Sequence, residues 1–163
     1  MGMSIRLRRV DTSEVERGVE QLERGFAATL KNRKWQSETD AGVLVDLGES
    51  WQFINSALAD GDQHPVSGPE ALPVFGGAYL ASVGEPQDAI IVLQPDEVNS
   101  AFEFLDGMDF AALLQRESER AKSRFGAGIP EWLMDSLLDK LKRLRTFYGT
   151  AAAEGQCVVK RIY

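Results

Sequence analysis

Few residues in this chain are of types that do chemistry, and they are scattered. His64 is the single histidine and Cys157 the single cysteine among 163 residues. An imidazole is the side chain that titrates near neutrality, yet no serine or thiol stands at a recognisable spacing from His64 to form a nucleophile–base pair. A structural zinc site needs four ligands, usually Cys and His, and the chain owns one of each. Asp60, Asp62 and Glu70 are carboxylates that a hard cation accepts, but they lack EF-hand spacing. Gly76-Gly77 fits neither the dinucleotide nor the P-loop pattern, and reads as a tight turn beside Tyr79. Cys157 lies in a strand-like run and reads as a small buried hydrophobe. No cofactor and no metal are therefore expected.

Trp51 and Asp46 carry more weight. Trp51 shares a helical face with Ile54 and Leu58, which makes it a core anchor; beside a long Gly/Pro-rich loop it is also placed to wall a pocket. Asp46, just before that helix, reads as a local cap or ion-pair partner. A small-ligand or enzymatic pocket between the Trp51 helix and residues 60–80 would draw on Asp46, Trp51, His64 and Tyr79.

The elements that must position these residues read as α+β. Residues 4–10 alternate, with Ile5 and Leu7 on one face, and form a first strand. Val15, Val19, Leu22, Phe26 and Leu30 mark one amphipathic helix, with Ser13 and Glu16 at capping-box spacing and Gly18 and Gly25 there for close packing. Residues 32–42 read as a loop and 43–47 as a short apolar piece. A helix over 49–59 ends at Gly61, and a long loop over 60–78 is anchored by Leu72, Val74 and Phe75. Short strands follow at 78–81 and 89–93. Pro95, with Asp96 and Glu97 behind it, starts a helix that stops near Gly107. Another helix runs over 109–124. The last, from Pro130, carries Trp132, Leu133, Leu137, Leu138, Leu141, Leu144 and Tyr148 on a broad apolar face, with Gly149 as a candidate kink. Residues 157–162 close the chain as a strand. The expected architecture is one α+β domain over 1–163, with a small, mainly antiparallel sheet formed largely by the chain ends and packed with several helices. The strands at 5–10 and 157–162 should share that sheet, because neither hides its apolar face alone.

Charge is laid out unevenly. Residues 35–115 hold fourteen acidic side chains and neither Lys nor Arg, while 1–34 carry a net +3 and 116–163 a net +4. The basic ends can fold back to neutralise the middle, and an acidic face left over would attract a cationic protein. Nucleic acid is a poor partner for such a surface. The start has Arg6, Arg8 and Arg9 with no apolar run behind them, so no signal peptide is expected. Nothing approaches the ~18 apolar residues of a membrane span. A cytoplasmic protein is the expectation.

Four pieces of the chain resemble one bacterial family of uncharacterised proteins. Met1-Gly2-Met3 opens it. Val45-Asp46-Leu47-Gly48-Glu49-Ser50-Trp51-Gln52-Phe53-Ile54-Asn55 is similar to the family's Leu-Asp-(Leu/Ile)-Asp-Lys-x-Trp-x-x-Leu-His segment. Leu93-Gln94-Pro95-Asp96-Glu97-Val98 resembles its Leu-Thr-Pro-Glu-Glu-Val helix start. Residues 144–159, with Phe147-Tyr148, Ala151-Ala152 and Gly155, resemble its closing helix and strand. The family is the YfbM-like one, the domain of unknown function numbered 1877. Gly48-Glu49 stands in place of Asp-Lys and Asn55 in place of His, which marks a divergent member and adds Asn55 to the candidate binding residues Asp46, Trp51, His64 and Tyr79. The resemblance implies a fold and no activity. The function expected is that of a non-catalytic binding or protein-interaction domain with an acidic surface and a basic protein partner.

A ligand bound only by the native state at a hundred times its Kd adds about 2.7 kcal/mol. Thermal-shift measurements with ATP, NAD and divalent ions should accordingly leave the melting temperature unchanged; a stoichiometric ion surviving dialysis would overturn this.

Overall fold

Alternation in the first strand decides the architecture. In β1 (Ile5–Val10) Ile5 and Leu7 join the larger apolar cluster on one side of the sheet, and Val10 joins a smaller one on the other. β5 (Cys157–Ile162) divides the same way, Val158 inward to the larger cluster and Cys157 and Val159 to the smaller. The two ends pair antiparallel from Ile5 opposite Ile162 to Val10 opposite Cys157, as the sequence predicts. The computed structural model describes residues 2–31, 34–61, 68–80 and 89–163.

Three further strands extend this pair. β2 (Leu44–Gly48) adds to β1, β4 (Ile90–Leu93) to β5, and β3 (Ala78–Leu80) to β4, giving an antiparallel sheet of order β2-β1-β5-β4-β3. β4 is buried at every position, which explains its unbroken apolar sequence: both faces of the sheet are covered there. The fold is α+β.

Helices α1 (Thr12–Glu16), α2 (Val19–Lys31) and α3 (Trp35–Asp40) precede β2. Then come α4 (Trp51–Leu58), α5 (Pro95–Asp106), α6 (Phe110–Phe125) and α7 (Glu131–Ala153). The last four build the larger core with Ile5, Leu7, Leu47, Leu93 and Val158 from the sheet. Leu22 and Phe26 of α2 close the smaller cluster. Local chemistry sets the helix ends. Pro95 begins α5 behind a capping box of Gln94 and Glu97. Asp109 Oδ1 accepts the Ala112 N–H at 3.1 Å to start α6, which stops at the left-handed Gly126.

Several expectations are corrected. The helix read over 15–30 is two helices, because Gly18 takes a φ of +94° between them. The Ser13–Glu16 capping box is absent; Asp11 precedes α1 and makes no side-chain cap. Nothing crowds Gly18, whereas Gly25 does meet a neighbour, its carbonyl accepting from the Arg8 guanidinium at 2.6 Å. Residues 35–40 form α3 rather than loop, helped by Ser37 and Thr39 bonding back to backbone carbonyls. Pro69–Ala71 form a 3-10 turn inside the expected loop. Gly149 does not kink α7; its missing Cβ makes room for the Phe102 ring of α5, 3.0 Å from where that atom would stand. Trp132 is 71% exposed, because Leu133, Met134 and Leu137 take the inward positions of the first turns of α7.

The basic ends neutralise part of the acidic middle. Arg6 Nε lies 3.6 Å from Asp46, Arg8 reaches Glu38 at 3.3 Å, and Asp60 meets Arg120 at 2.8 Å and Arg116 at 3.4 Å.

Trp51 is 8% exposed and shares the larger core with Ile54, Leu58, Leu137, Leu141 and Leu144. Its Nε1 donates to the Met3 carbonyl at 2.8 Å, and its ring stacks on Phe75 at 5.7 Å between centroids. Trp51→Ala loses this burial and leaves a void, a cost of about 3–5 kcal/mol. Its urea midpoint should fall as far as that of Leu141→Ala, for which about 2–5 kcal/mol is expected. A midpoint equal to the parent's would refute the core assignment.

Candidate functional site

A cleft borders β2 at the edge of the sheet. β2 is an edge strand, flanked by α3 on one side and by α7 on the other. Between them opens a cleft of about 570 Å³, a size typical of ligand sites. Trp35, Thr39 and Asp40 form one wall, and Lys140, Lys142, Arg143 and Thr146 the other. Lys140 closes one end: its Nζ donates to the Leu47 carbonyl at 3.3 Å and to Ser50 Oγ at 3.0 Å. Arg6 backs the strand, its guanidinium 4.2 Å from the ring centres of both Trp35 and Tyr163, a cation held between two aromatic faces.

Among the described residues the cleft brings no nucleophile beside a base. Thr39 and Thr150 donate their hydroxyls to helix carbonyls, of Trp35 at 2.8 Å and Thr146 at 3.1 Å. Asp40 accepts from Gln36 at 2.8 Å. Among the described residues no cluster of His, Cys, Asp and Glu is suited to a metal ion.

Of the residues predicted from sequence, the described ones, Asp46, Trp51, Asn55 and Tyr79, do not gather at one place. Asp46 lines the cleft; its Oδ1 accepts the Gly48 N–H at 2.8 Å and its Oδ2 faces Arg6, the local pairing expected of it. Trp51 and Asn55 lie one turn apart on α4, both buried; Asn55 is 3% exposed and its Oδ1 has no partner among the described residues. Tyr79 stands on the edge strand β3, 64% exposed. His64 and Asp62 fall outside the described residues. Trp35, Lys140, Lys142 and Arg143 were not singled out. Trp35 sat in a stretch read as loop, and the cations read as complements of the α7 dipole; their recurrence on the exposed side of that helix was the available signal.

Two buried polar side chains fasten the 72–76 turn to the core. Lys160, fully buried in β5, donates to the carbonyls of Leu72 and of Gly76, the latter at 2.7 Å. The Tyr148 hydroxyl donates to Leu72 at 3.3 Å and Pro73 at 2.8 Å. Burial holds the Lys160 amine well below its ordinary pKa, against the pull of the Glu97 charge, and pushes the Tyr148 hydroxyl well up. Burial, with Glu16 adding to it, also raises the Cys157 thiol, which is structural as expected. The Asp60 carboxyl is lowered by its hydrogen bond from Arg120 and by the Arg116 charge.

A family model described as "Domain of unknown function (DUF1877)" matches residues 1–160. Among solved structures the chain is similar to a protein of unknown function, YfbM, from Escherichia coli, with a TM-score of 0.63 and 16% identity. The likeness covers 98% of this chain and 99% of that one, and at such identity it is a likeness of fold. No curated protein matches the chain.

Lys160 offers a test with a definite sign. With its folded pKa depressed, the unfolded chain binds the extra proton, so this residue's contribution is complete above the unfolded value of about 10.4 and is lost as pH falls below it. Tyr148 acts oppositely only past about 10, where the unfolded phenol ionises. The stability advantage of the parent over Lys160→Met, measured by urea unfolding, should therefore grow between pH 7 and pH 9.5. A constant difference would show that the buried amine titrates normally.

Proposed function

The chain belongs to the family described as domain of unknown function DUF1877, and from that premise we propose that it is a non-catalytic binding domain whose acidic face on α5 receives a basic partner protein. The observation that carries this reading is the outer side of that helix. Val98, Ala101 and Leu105 turn inward, leaving Asp96, Glu103 and Asp106 exposed on the opposite side. Their spacing of seven and three residues keeps them on one stripe. None of the three makes an ion pair among the described residues, while Glu38, Asp46 and Asp60 are paired to arginines. Asp109 continues the acidic run at the start of α6.

Such a stripe attracts cations over roughly 8–10 Å at physiological salt and repels nucleic acid and anionic lipid. Among the described residues no helix is long and apolar enough to cross a membrane. We place the role in the cytoplasm. An enzyme or small-ligand pocket beside the Trp51 helix is the competing reading, and the unpartnered Asn55 Oδ1 is the observation that favours it. Against it, Trp51 is engaged by Met3 and Phe75, and Asp46 and Tyr79 lie on other elements, β2 and the exposed β3.

The test is affinity capture from native-cell extract at low and at moderate salt, with the parent and with Asp96→Asn/Glu103→Gln/Asp106→Asn. A basic protein should be retained by the parent at low salt, shed as screening rises, and missed by the triple variant, whose urea midpoint should stay at or above the parent's. Retention indifferent to both salt and charge removal would overturn the reading.

A further inference from the structure

The cations of α7 do not serve its dipole. A helix dipole favours a cation only within the last turn, and α7 runs on to Ala153 with no basic residue there. Of Lys140, Lys142, Arg143 and Arg145, the last is placed over the Phe110 ring, 5.0 Å from its centre. The other three line the cleft against β2. Lys142 is exposed and has no ion-pair partner among the described residues. Arg143 meets only the exposed Asp139, through Nε at 2.8 Å, and a guanidinium has donors to spare. Lys140 is half-buried and has no carboxylate against it among the described residues. Its Nζ donates to the Leu47 carbonyl and to Ser50 Oγ, and an ammonium has a third N–H to give. Like charges a turn apart repel one another, so this grouping does little for stability.

The wall opposite has another character. Trp35 offers it a half-buried ring, backed on one face by the Arg6 guanidinium, and Thr39 and Asp40 stand one turn further along α3. Two carboxylates line the cleft. Asp46 is held by Arg6 and by the Gly48 N–H, and Asp40 takes the neutral Gln36 amide. A cationic ligand would be met by three like charges on α7. A polyanion would bring its further charges against Asp40 and Asp46. What fits both walls is a molecule with a single negative group at one end and a flat, uncharged body at the other, where the Trp35 ring can pack against it.

We propose that this cleft binds a small aromatic monocarboxylate, its carboxylate on the cations of α7 and its ring against Trp35. Lys142 and Arg143 give the carboxylate charge-assisted hydrogen bonds, which are stronger than neutral ones. Thr146, one turn beyond Arg143, adds a hydroxyl that bonds nothing among the described residues. The volume of about 570 Å³ leaves room for such a molecule. The site uses side chains of α3 and α7 and asks nothing of the β2 backbone. It is separate from the α5 stripe and of opposite charge, so either reading can fail without the other.

The experiment titrates the full chain with 2-naphthoate, with its neutral counterpart 2-naphthamide, and with the saturated cyclohexanecarboxylate, followed by calorimetry and by amide and indole NMR shifts. Naphthoate should bind saturably at millimolar concentration or below, and about tenfold or more tighter than the amide, the factor expected for a hydrogen bond to a charged group. Cyclohexanecarboxylate should bind more weakly, because it lacks the flat face. The Trp35 indole N–H and the amides of Lys142, Arg143 and Thr146 should shift on binding. Lys142→Gln/Arg143→Gln, both exposed positions, should weaken naphthoate about tenfold or more while the urea midpoint measured without probe stays at the parent's. Absence of saturable naphthoate binding, equal binding of the amide or of cyclohexanecarboxylate, shifts confined to the Trp51 or Trp132 indole, or full affinity in the double variant would each overturn the proposal.

Discussion

The pairing of β1 with β5 is the constraint from which the rest follows. It joins residues at the two ends of the chain in the middle of the sheet, so every other strand is added outside that pair. The entropy of closing so long a loop grows only with the logarithm of its length, so the pairing is less costly than the separation suggests. Its register is fixed by burial: a slip of one residue would turn Ile5, Leu7 and Val158 out of the larger core and bring arginines in. With that register set, Arg6 and Arg8 fall on the face where Asp46 and Glu38 wait, and the unequal charge of the chain becomes local pairs.

The same register places Lys160 inward, opposite Leu7 and Ile91, where an unpaired amine would be very unfavourable. The 72–76 turn resolves this by bringing carbonyls to it. The Lys160 amine donates to the two carbonyls of Leu72 and Gly76, and the Tyr148 hydroxyl serves Leu72 and Pro73 from α7. Gly76 is needed because a Cβ there would stand 2.5 Å from the Ala71 carbonyl, and Gly77 because it runs at φ +131° against β4. So held, the turn presents Phe75 to Trp51 and completes the core around α4. A Gly/Pro-rich stretch that looks from sequence like slack is thus fastened by a lysine more than eighty residues away.

What sequence conveys here is whatever rests on short-range pattern. The alternation of residues 5–10, the proline-led start of α5 and the apolar face of α7 each have a local cause, and each appears in the structure. The split between α1 and α2 was missed because Gly18 weakens a helix only slightly on propensity, and its left-handed φ depends on how α2 must lie against β1. α3 was missed because six polar residues carry no stripe, and what stabilises them is Trp35 lying over Arg6, a contact across the sheet. Trp132 was misassigned because a broad apolar face is wider than the surface available to cover it. The candidate site suffered most. Asp46 and Trp51 are near neighbours in sequence, but one borders a cleft and the other is packed into the core, and only the fold assigns them to different sides of β2.

That division bears on what kind of molecule this is. A chain built for catalysis concentrates its titratable groups where a substrate can reach them. Here the described groups displaced furthest from their ordinary titration, Lys160 and Tyr148, are sealed in the core and bonded to backbone. Outside the core, Asp96, Glu103 and Asp106 of α5 and Lys142 of α7 stand exposed without an ion-pair partner among the described residues, amid mixed charges elsewhere. Exposed charge of this sort does little for stability, since it contributes least when unpaired and repels its like. It does determine which approaching surfaces are attracted and which are turned away. With the most displaced titratable groups committed to holding the 72–76 turn against the sheet, the unpaired charge outside acts on what approaches the molecule rather than on its fold.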